Sequence, residues 1–349
     1  MKIIYLYAEL MPYQVIVFKE LIKTYSAEII AVHWDKKKLT PYELPITDGV
    51  IYKPKSFFKS KKELLNFVRL ESPDIIYCSG WMDNDYRYVA KKIKRIGIPV
   101  IAGSDTQWRG GKQWFNVIFA SIRHKRWFSH IWVSGIYQYE YARKLRFSKD
   151  KIIFNSLTAD VSLFSNYGKL NLHKMPKNFV YIGRFDEKIK GLHTLVKAFK
   201  ILKEDVNNPW RLICIGNGVL KEQLLKVKDI IVYDFMDQKD ICMKSHEFGF
   251  LVLPSLFENW GLVLHEATCL GLPIISSKIC GGNSTFLIDG YNGFSFSPNS
   301  VQDLVAVMKK VSSLSDDSLL RLRENSFRLH NRITPQITAA SLMSVIKQV

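Results

Sequence analysis

Two rhythms of apolar and polar positions alternate along the chain. Short, nearly unbroken apolar runs lie at Ile3–Tyr7, Glu28–His33, Ile75–Ser79, Pro99–Gly103, Ile131–Val133 and Ile152–Phe154, and read as strands covered on both faces. Most are separated by stretches with helical spacing, such as Lys61–Leu70 and Tyr86–Ile96. The alternation resumes at Phe179. A run at Val180–Ile182 precedes a periodic stretch at Leu192–Leu202, and later runs lie at Trp210–Ile215, Ile230–Met236 and before Pro254. Strands alternating with helices predict parallel sheets with right-handed crossovers. The expected fold class is therefore α/β, with two doubly wound domains. The pattern predicts a first domain over residues 1–160 and a second over 179–330. Residues 161–178, with Gly168, Pro176 and little periodicity, read as a linker. Residues 331–349 read as a C-terminal helix that could pack back on the first domain, with a break at Pro335.

The candidate chemistry concentrates after the run ending at Pro254. Ser255-Leu256-Phe257-Glu258-Asn259-Trp260-Gly261-Leu262-Val263-Leu264-His265-Glu266 places Glu258 in a loop and Glu266 about a turn and a half into a helix starting near Gly261. In an open α/β sheet, ligands bind where strand ends pass into helices. Two ionised carboxylates there are pure acceptors and suit the hydroxyls of a sugar or ribose. Arg184 follows a strand end at Gly183, and Lys188 and Lys190 precede a helix, an arrangement that favours an anion. Gly216-Asn217-Gly218 is a turn that permits close approach of a ligand.

Together these segments resemble the donor site of retaining GT-B glycosyltransferases of the group 1 (family 4) type, in which two Glu separated by seven residues follow a Pro-Ser. Gly271-Leu272-Pro273-Ile274-Ile275, Gly281-Gly282-Asn283 and Asp289-Gly290-Tyr291-Asn292-Gly293 extend the likeness, which is clear over residues 179–296. The resemblance implies two Rossmann-like domains, a nucleotide-sugar co-substrate (a UDP-sugar first), no required metal and no other cofactor. It implies that Arg184 and Lys190 bind the diphosphate, Glu258 the sugar hydroxyls and Glu266 the ribose. Gly183, Gly216, Asn217, Asn259, Gly261, Leu262 and Val263 would shape the donor pocket, with Phe235 and Met236 near the base. On the acceptor side it points to Trp81, Ser104 and Asp105, with Asp105 placed to orient or deprotonate the acceptor hydroxyl. Two departures stand out. Ser284-Thr285-Phe286 replaces the Glu usual after the Gly-Gly pair, and Ala8–Tyr13 lacks the glycine-rich loop usual after the first strand.

Charge adds a second clue. The net charge is +18, and residues 1–170 hold 28 Lys and Arg against 15 Asp and Glu, whereas the remaining residues hold 22 against 17. Thr106–Tyr139 contains no acid but carries Trp108, Trp114, Phe115, Phe119, Arg123, Lys125, Arg126 and Trp127. Such mixing suits an anionic membrane surface, or else a core helix with a basic solvated face. No nucleic-acid-binding motif accompanies the charge, so nucleic acid is not an expected partner. A glycan or lipid-linked acceptor and a peripheral position on the cytoplasmic face of a membrane are expected. Five scattered cysteines form no Cys-x-x-Cys pair and fit a reducing compartment. The N-terminal apolar run meets Glu9 too soon for a signal peptide, and no run approaches a membrane span. Asp83-Asn84-Asp85 resembles a metal motif but reads as a helix cap before Tyr86. Two rivals to transfer are a non-catalytic basic adaptor on the same scaffold and a nucleotide-sugar epimerase.

Overall fold

The computed structural model describes residues 1–35, 46–120, 122–186 and 188–346. The chain divides into two compact units, Met1–Thr158 with Ile333–Val349, and Ala159–Arg332. In the first, strands β1 (Lys2–Tyr7), β2 (Glu28–His33), β3 (Val50–Pro54), β4 (Ile75–Cys78), β5 (Val100–Ser104), β6 (His130–Val133) and β7 (Ile152–Ile153) form one parallel sheet. Its order is β3-β2-β1-β4-β5-β6-β7. In the second, β8 (Asn178–Ile182), β9 (Arg211–Ile215), β10 (Ile230–Tyr233), β11 (Phe250–Leu253), β12 (Ile274–Ser277) and β13 (Gly293–Phe296) pair in parallel in the order β10-β9-β8-β11-β12-β13. Both sheets are doubly wound, with the switch points between β1 and β4 and between β8 and β11.

The strand interiors are apolar on both faces because helices cover both. Ile4, Leu6, Ile30 and Ile76 point to one cluster in the first unit, and Ile3, Tyr5, Ile29 and Ile75 to the other. The helices Lys61–Leu70 and Leu192–Leu202 have the predicted bounds. Strand β3 was not legible in the sequence. It is an edge strand with no buried residue, so its apolar positions do not stand out as a run.

Residues 161–178, read as a linker, contain the helix Val161–Asn171, capped by Asp160 accepting from Leu163 N at 3.0 Å. Gly168 looked like a loop signal. It is a contact glycine instead, since a Cβ there would lie 2.1 Å from the Cys269 carbonyl oxygen. Burial of this helix against the helix Leu262–Cys269, rather than local propensity, explains the short, weakly periodic pattern. The C-terminal stretch breaks just before Pro335, which sits in the first turn of the helix Pro335–Met343. That helix belongs to the first unit: Gln336 donates to Glu20 at 2.8 Å, and Ala339 and Leu342 join the cluster of Ile3 and Phe18. Among the described residues no helix is long and apolar enough to cross a membrane.

Asp83 caps the helix Asn84–Lys94 as the sequence suggested, accepting from the backbone N–H groups of Asp85 and Tyr86. Its other oxygen accepts from Trp34 and Lys55, at 2.8 and 2.6 Å. Partial burial would raise this carboxyl, but Lys55, the Tyr86 N–H and Trp34 outweigh it and hold the group below its ordinary value.

Candidate active site

The switch point of the second sheet brings together the ends of β8 and β11. After β8 the backbone passes through Gly183, whose N–H bonds the Ile215 carbonyl, and Phe185 N bonds the Asn217 carbonyl. The β8 and β9 loops are therefore stitched side by side. A Cβ at Gly216 would lie 2.0 Å from the Gly183 carbonyl oxygen, so only glycine permits this approach. The loop after β8 is likewise pinned to the loop after β11. Leu256 N and Phe257 N both donate to the Ile189 carbonyl, at 2.8 and 3.1 Å. Gly191 has a left-handed φ of 65°, and a Cβ on it would meet the Pro254 carbonyl oxygen at 2.0 Å.

These constraints deliver Lys190 to Glu258. The ammonium Nζ lies 2.7 Å from Oε2, and the two side chains are only 20% and 15% exposed. Ser255 Oγ donates to the same oxygen at 3.2 Å. Asp186, unnoticed in the sequence, shapes the approach: its Oδ1 accepts from the N–H groups of Lys188 and Ile189 at 2.7 and 2.8 Å. The Ile189 and Lys188 N–H groups, with Arg184 and Lys190 nearby, lower its pKa. Arg184 itself is exposed beside this turn, and its carbonyl accepts from the Tyr181 hydroxyl at 2.6 Å. The strand end thus presents two cations, one exposed and one held by a carboxylate.

Gly261, at a left-handed φ of 82°, precedes the helix Leu262–Cys269. The helix carries Glu266, which Gln238 approaches with an Nε2–Oε1 distance of 3.2 Å. Gln238 lies two residues past Met236, so the segment after β10 reaches the same carboxylate. Phe235 there is half exposed and Met236 partly buried. The preceding residue, His265, is fully buried and fixes this helix. Its Nδ1 accepts from Ala159 N at 3.0 Å, so the ring is neutral, and Nε2 donates to the His330 carbonyl at 2.9 Å. Burial lowers its pKa to about 4, which keeps that tautomer neutral through the physiological range.

Burial also pushes the Glu266 carboxyl up, to about 7, against the lowering effect of Gln238. The folded state then holds this proton more tightly than the unfolded chain, whose value is near 4.5. The associated stability is present at acid pH and is lost as pH rises through about 7. Glu266→Gln, permanently neutral, is expected to exceed the wild type in stability by roughly 2–3 kcal/mol at about pH 8 and to match it near about pH 4. Urea unfolding at both pH values measures this. An equal difference at both would show that the carboxyl is not strained by burial.

The two remaining loops are braced by hydrogen bonds of their own. Asp289 Oδ1 and Oδ2 accept from Ser295 N and Oγ at 2.6 and 2.7 Å, while buried Asn292 bridges the Ile288 N–H and the Phe286 carbonyl. Gly282 N donates to the Trp260 carbonyl at 2.8 Å, which ties the Gly-Gly turn to the Glu258 loop.

The residues predicted for the acceptor lie in the first unit, at the C-terminal edge of its sheet. Ser104 ends β5, and exposed Asp105 follows it, its carbonyl accepting from Gln138 at 3.0 Å. Sequence reasoning missed three tyrosines around Asp105. Tyr7 and Tyr77 stack with ring centroids 5.8 Å apart. Burial, first of all, raises the pKa of Tyr7, Tyr13 and Tyr77, and the Asp105 charge adds to the rise in all three. The signal was present only as a tyrosine ending β1 and another inside β4, which separately look like core. Trp81, just past β4, is partly buried, with its ring edge-on to His124 at 4.6 Å.

Two parallel, doubly wound units, with a Lys–Glu pair at one switch point, match the GT-B architecture. The sequence model of the family described as Glycosyl transferases group 1 matches residues 165–328, so the second unit is a domain of that family. Among solved structures, Anabaena HepE in complex with UDP superposes with a TM-score of 0.75 at 15% identity, covering 100% of both chains. A Rickettsia africae glycosyltransferase does so at 0.74 and 14%, covering 99% of this chain and 98% of its own. At such identities the likeness concerns the fold. By sequence, a Mycobacterium tuberculosis glycogen synthase is 27% identical over 182 residues, 50% of this chain and 42% of the relative. A Salmonella typhimurium lipopolysaccharide 1,6-galactosyltransferase is 24% identical over 280 residues, 74% of this chain and 72% of the relative. The chain thus spans less than half the length of the first curated relatives it matches.

Proposed function

We propose that the protein is a retaining glycosyltransferase, moving a sugar from a UDP-sugar to a hydroxyl of a lipid-linked or polysaccharide acceptor in the synthesis of a cell-surface glycan. The observation that carries this is the Lys190–Glu258 pair at the switch point, with Glu266 on the adjoining helix. Arg184 and Lys190 neutralise the diphosphate as the sugar–phosphate bond breaks. Because negative charge grows on the leaving oxygens, fixed cations there act most strongly in the transition state. Glu258 accepts from the donor sugar's hydroxyls and Glu266 from the ribose. The acceptor oxygen forms the new bond on the same face, and its proton passes to the departing phosphate oxygen. In the first unit, Asp105, Ser104 and Trp81 are the residues assigned to the acceptor, with Asp105 to orient its hydroxyl. Arg and Lys take the electrostatic role, so turnover is expected without added metal.

The UDP assignment draws on the UDP and UDP-glucose complexes of structural neighbours, and the acceptor class on relatives named for lipopolysaccharide and capsular polysaccharide. A membrane surface fits the first unit. The helix Gln113–Ile118 has no buried residue, and Trp114, Phe115, Ile118 and Ile122 are each more than half exposed, which favours a surface role over a core helix. Thermal unfolding with UDP, GDP and their glucose conjugates tests the donor assignment. A concentration-dependent rise with the UDP series alone supports the reading. A rise with the GDP series alone would replace the carrier, and no rise with any would favour the adaptor. Interconversion of the bound donor sugar without an acceptor would favour the epimerase.

A further inference from the structure

The first unit also carries a concentration of positive charge where the helices Lys61–Leu70 and Asn84–Lys94 begin, close to Trp81, whose ring lies edge-on to His124. Lys61 opens the helix Lys61–Leu70, Arg87 and Lys91 lie one turn apart on the helix Asn84–Lys94, and Arg123 precedes the short helix His124–Trp127. All four line one open surface cavity of about 520 Å³. Tyr88 and Trp127 wall it, Asn84 contributes an amide, and no carboxylate takes part.

Two of the four cations rest on the aromatic walls, and Arg123 lies over Phe119 at 5.0 Å. The Arg87 guanidinium lies over the Trp127 ring at 4.8 Å and donates to Asn84, and Lys61 Nζ lies over Tyr88 at 5.1 Å. The nearest acids in sequence have other partners: Lys55 takes Asp83 and Asp85 at 2.6 and 3.0 Å, and Glu63 accepts from Lys59 N at 2.9 Å. Among the described residues none of the four cations forms an ion pair. Four like charges around one cavity repel one another unless an anion joins them. Two guanidiniums match the oxygens of a phosphoryl group in geometry, and the aromatic walls accept an apolar substituent beside it.

From this arrangement we infer that the cavity is a phosphoryl-binding site distinct from the donor site. Its ligand is the phosphate of a phospholipid headgroup or a soluble phosphate ester. The exposed Trp114, Phe115, Ile118 and Ile122 lead along the chain into Arg123, which favours the lipid; that preference rests on the membrane-surface reading, whereas the anion site rests on the cavity alone.

The test uses the full chain with UDP present, so that the donor site is occupied. Two probes are compared: phosphatidylcholine vesicles with and without phosphatidylglycerol, by co-sedimentation, and inorganic pyrophosphate, by titration calorimetry. Arg87→Gln/Arg123→Gln is set against Lys23→Gln/Lys149→Gln, which removes the same charge from exposed positions elsewhere on the unit. Loss of binding to either probe by about tenfold or more in the pocket variant relative to its charge-matched control is the expected result. Loss confined to vesicles identifies the lipid, and loss confined to pyrophosphate identifies a soluble ester. Equal losses in the two variants, or no binding of either probe by the wild type, would overturn the site. Vesicle binding that falls equally in both variants leaves the membrane reading intact while removing the pocket. Pyrophosphate binding without vesicle binding does the reverse. Lys61→Gln/Lys91→Gln, which leaves the Arg87–Trp127 stack in place, provides a second reading should the first variant unfold.

Discussion

Replacing Lys190 with alanine is expected to lower kcat for sugar transfer by about 10²- to 10³-fold while leaving the second unit folded. The ammonium sits at the switch point with one of its donors committed to Glu258, which leaves two for the leaving diphosphate. Its contribution grows as charge accumulates on that group, so kcat should fall more than donor affinity. Glu258→Ala should cost a similar factor for two reasons. It removes the acceptor for the sugar hydroxyls, and it releases Lys190 from its fixed direction. The pair is mostly buried, so removing one partner should cost about 3 kcal/mol of stability. Steady-state kinetics on both variants, paired with urea unfolding, separate these effects. Turnover within a factor of a few of wild type in either variant would remove the assigned donor site, and an activity loss that only tracks unfolding would make the pair structural.

Gly191→Ala is expected to be the more damaging change to the fold. A side chain at this left-handed position is strained, and its Cβ would sit 2.0 Å from the Pro254 carbonyl oxygen, which belongs to backbone and cannot swing aside. The two loops must part, at a cost of about 3 kcal/mol. The same movement carries Lys190 away from Glu258, so nucleotide affinity should fall together with stability. Denaturant unfolding and nucleotide titration of the variant measure both. A stable variant with wild-type affinity would show that the loops do not need this close approach.

The donor half of the site was readable because its residues cluster along the chain. Glu258, Gly261 and Glu266 share one strand–loop–helix segment, and the spacing already places one carboxylate in the loop and one on the helix. Arg184 and Lys190 stand next to a strand end and a helix start, which are visible as a change of period. Asp186 and Gln238 were not readable in the same way, and Ser255 was legible as part of the Pro-Ser flank but not for its contact with Glu258. An Asp in a turn, a Ser after a Pro and a Gln opening a helix are common residues, and each acquires a role only through a partner supplied by the folded backbone. The tyrosines around Asp105 were hidden for a related reason. Tyr7 and Tyr77 belong to different strands and look like core from either one.

What the sequence determined by itself is the alternation of strands and helices, hence the two parallel sheets, and the types of group available at the second switch point. Local periodicity and composition encode those because they depend on neighbours within a turn or two. The tertiary structure alone decided that Val161–Asn171 is a helix, that Gly168 is there to let it meet the Cys269 backbone, and that Lys190 rests on Glu258. It also decided that Lys61, Arg87, Lys91 and Arg123 share one cavity. Each of these depends on contacts between residues far apart in the chain, and packing at that range overrides local preference.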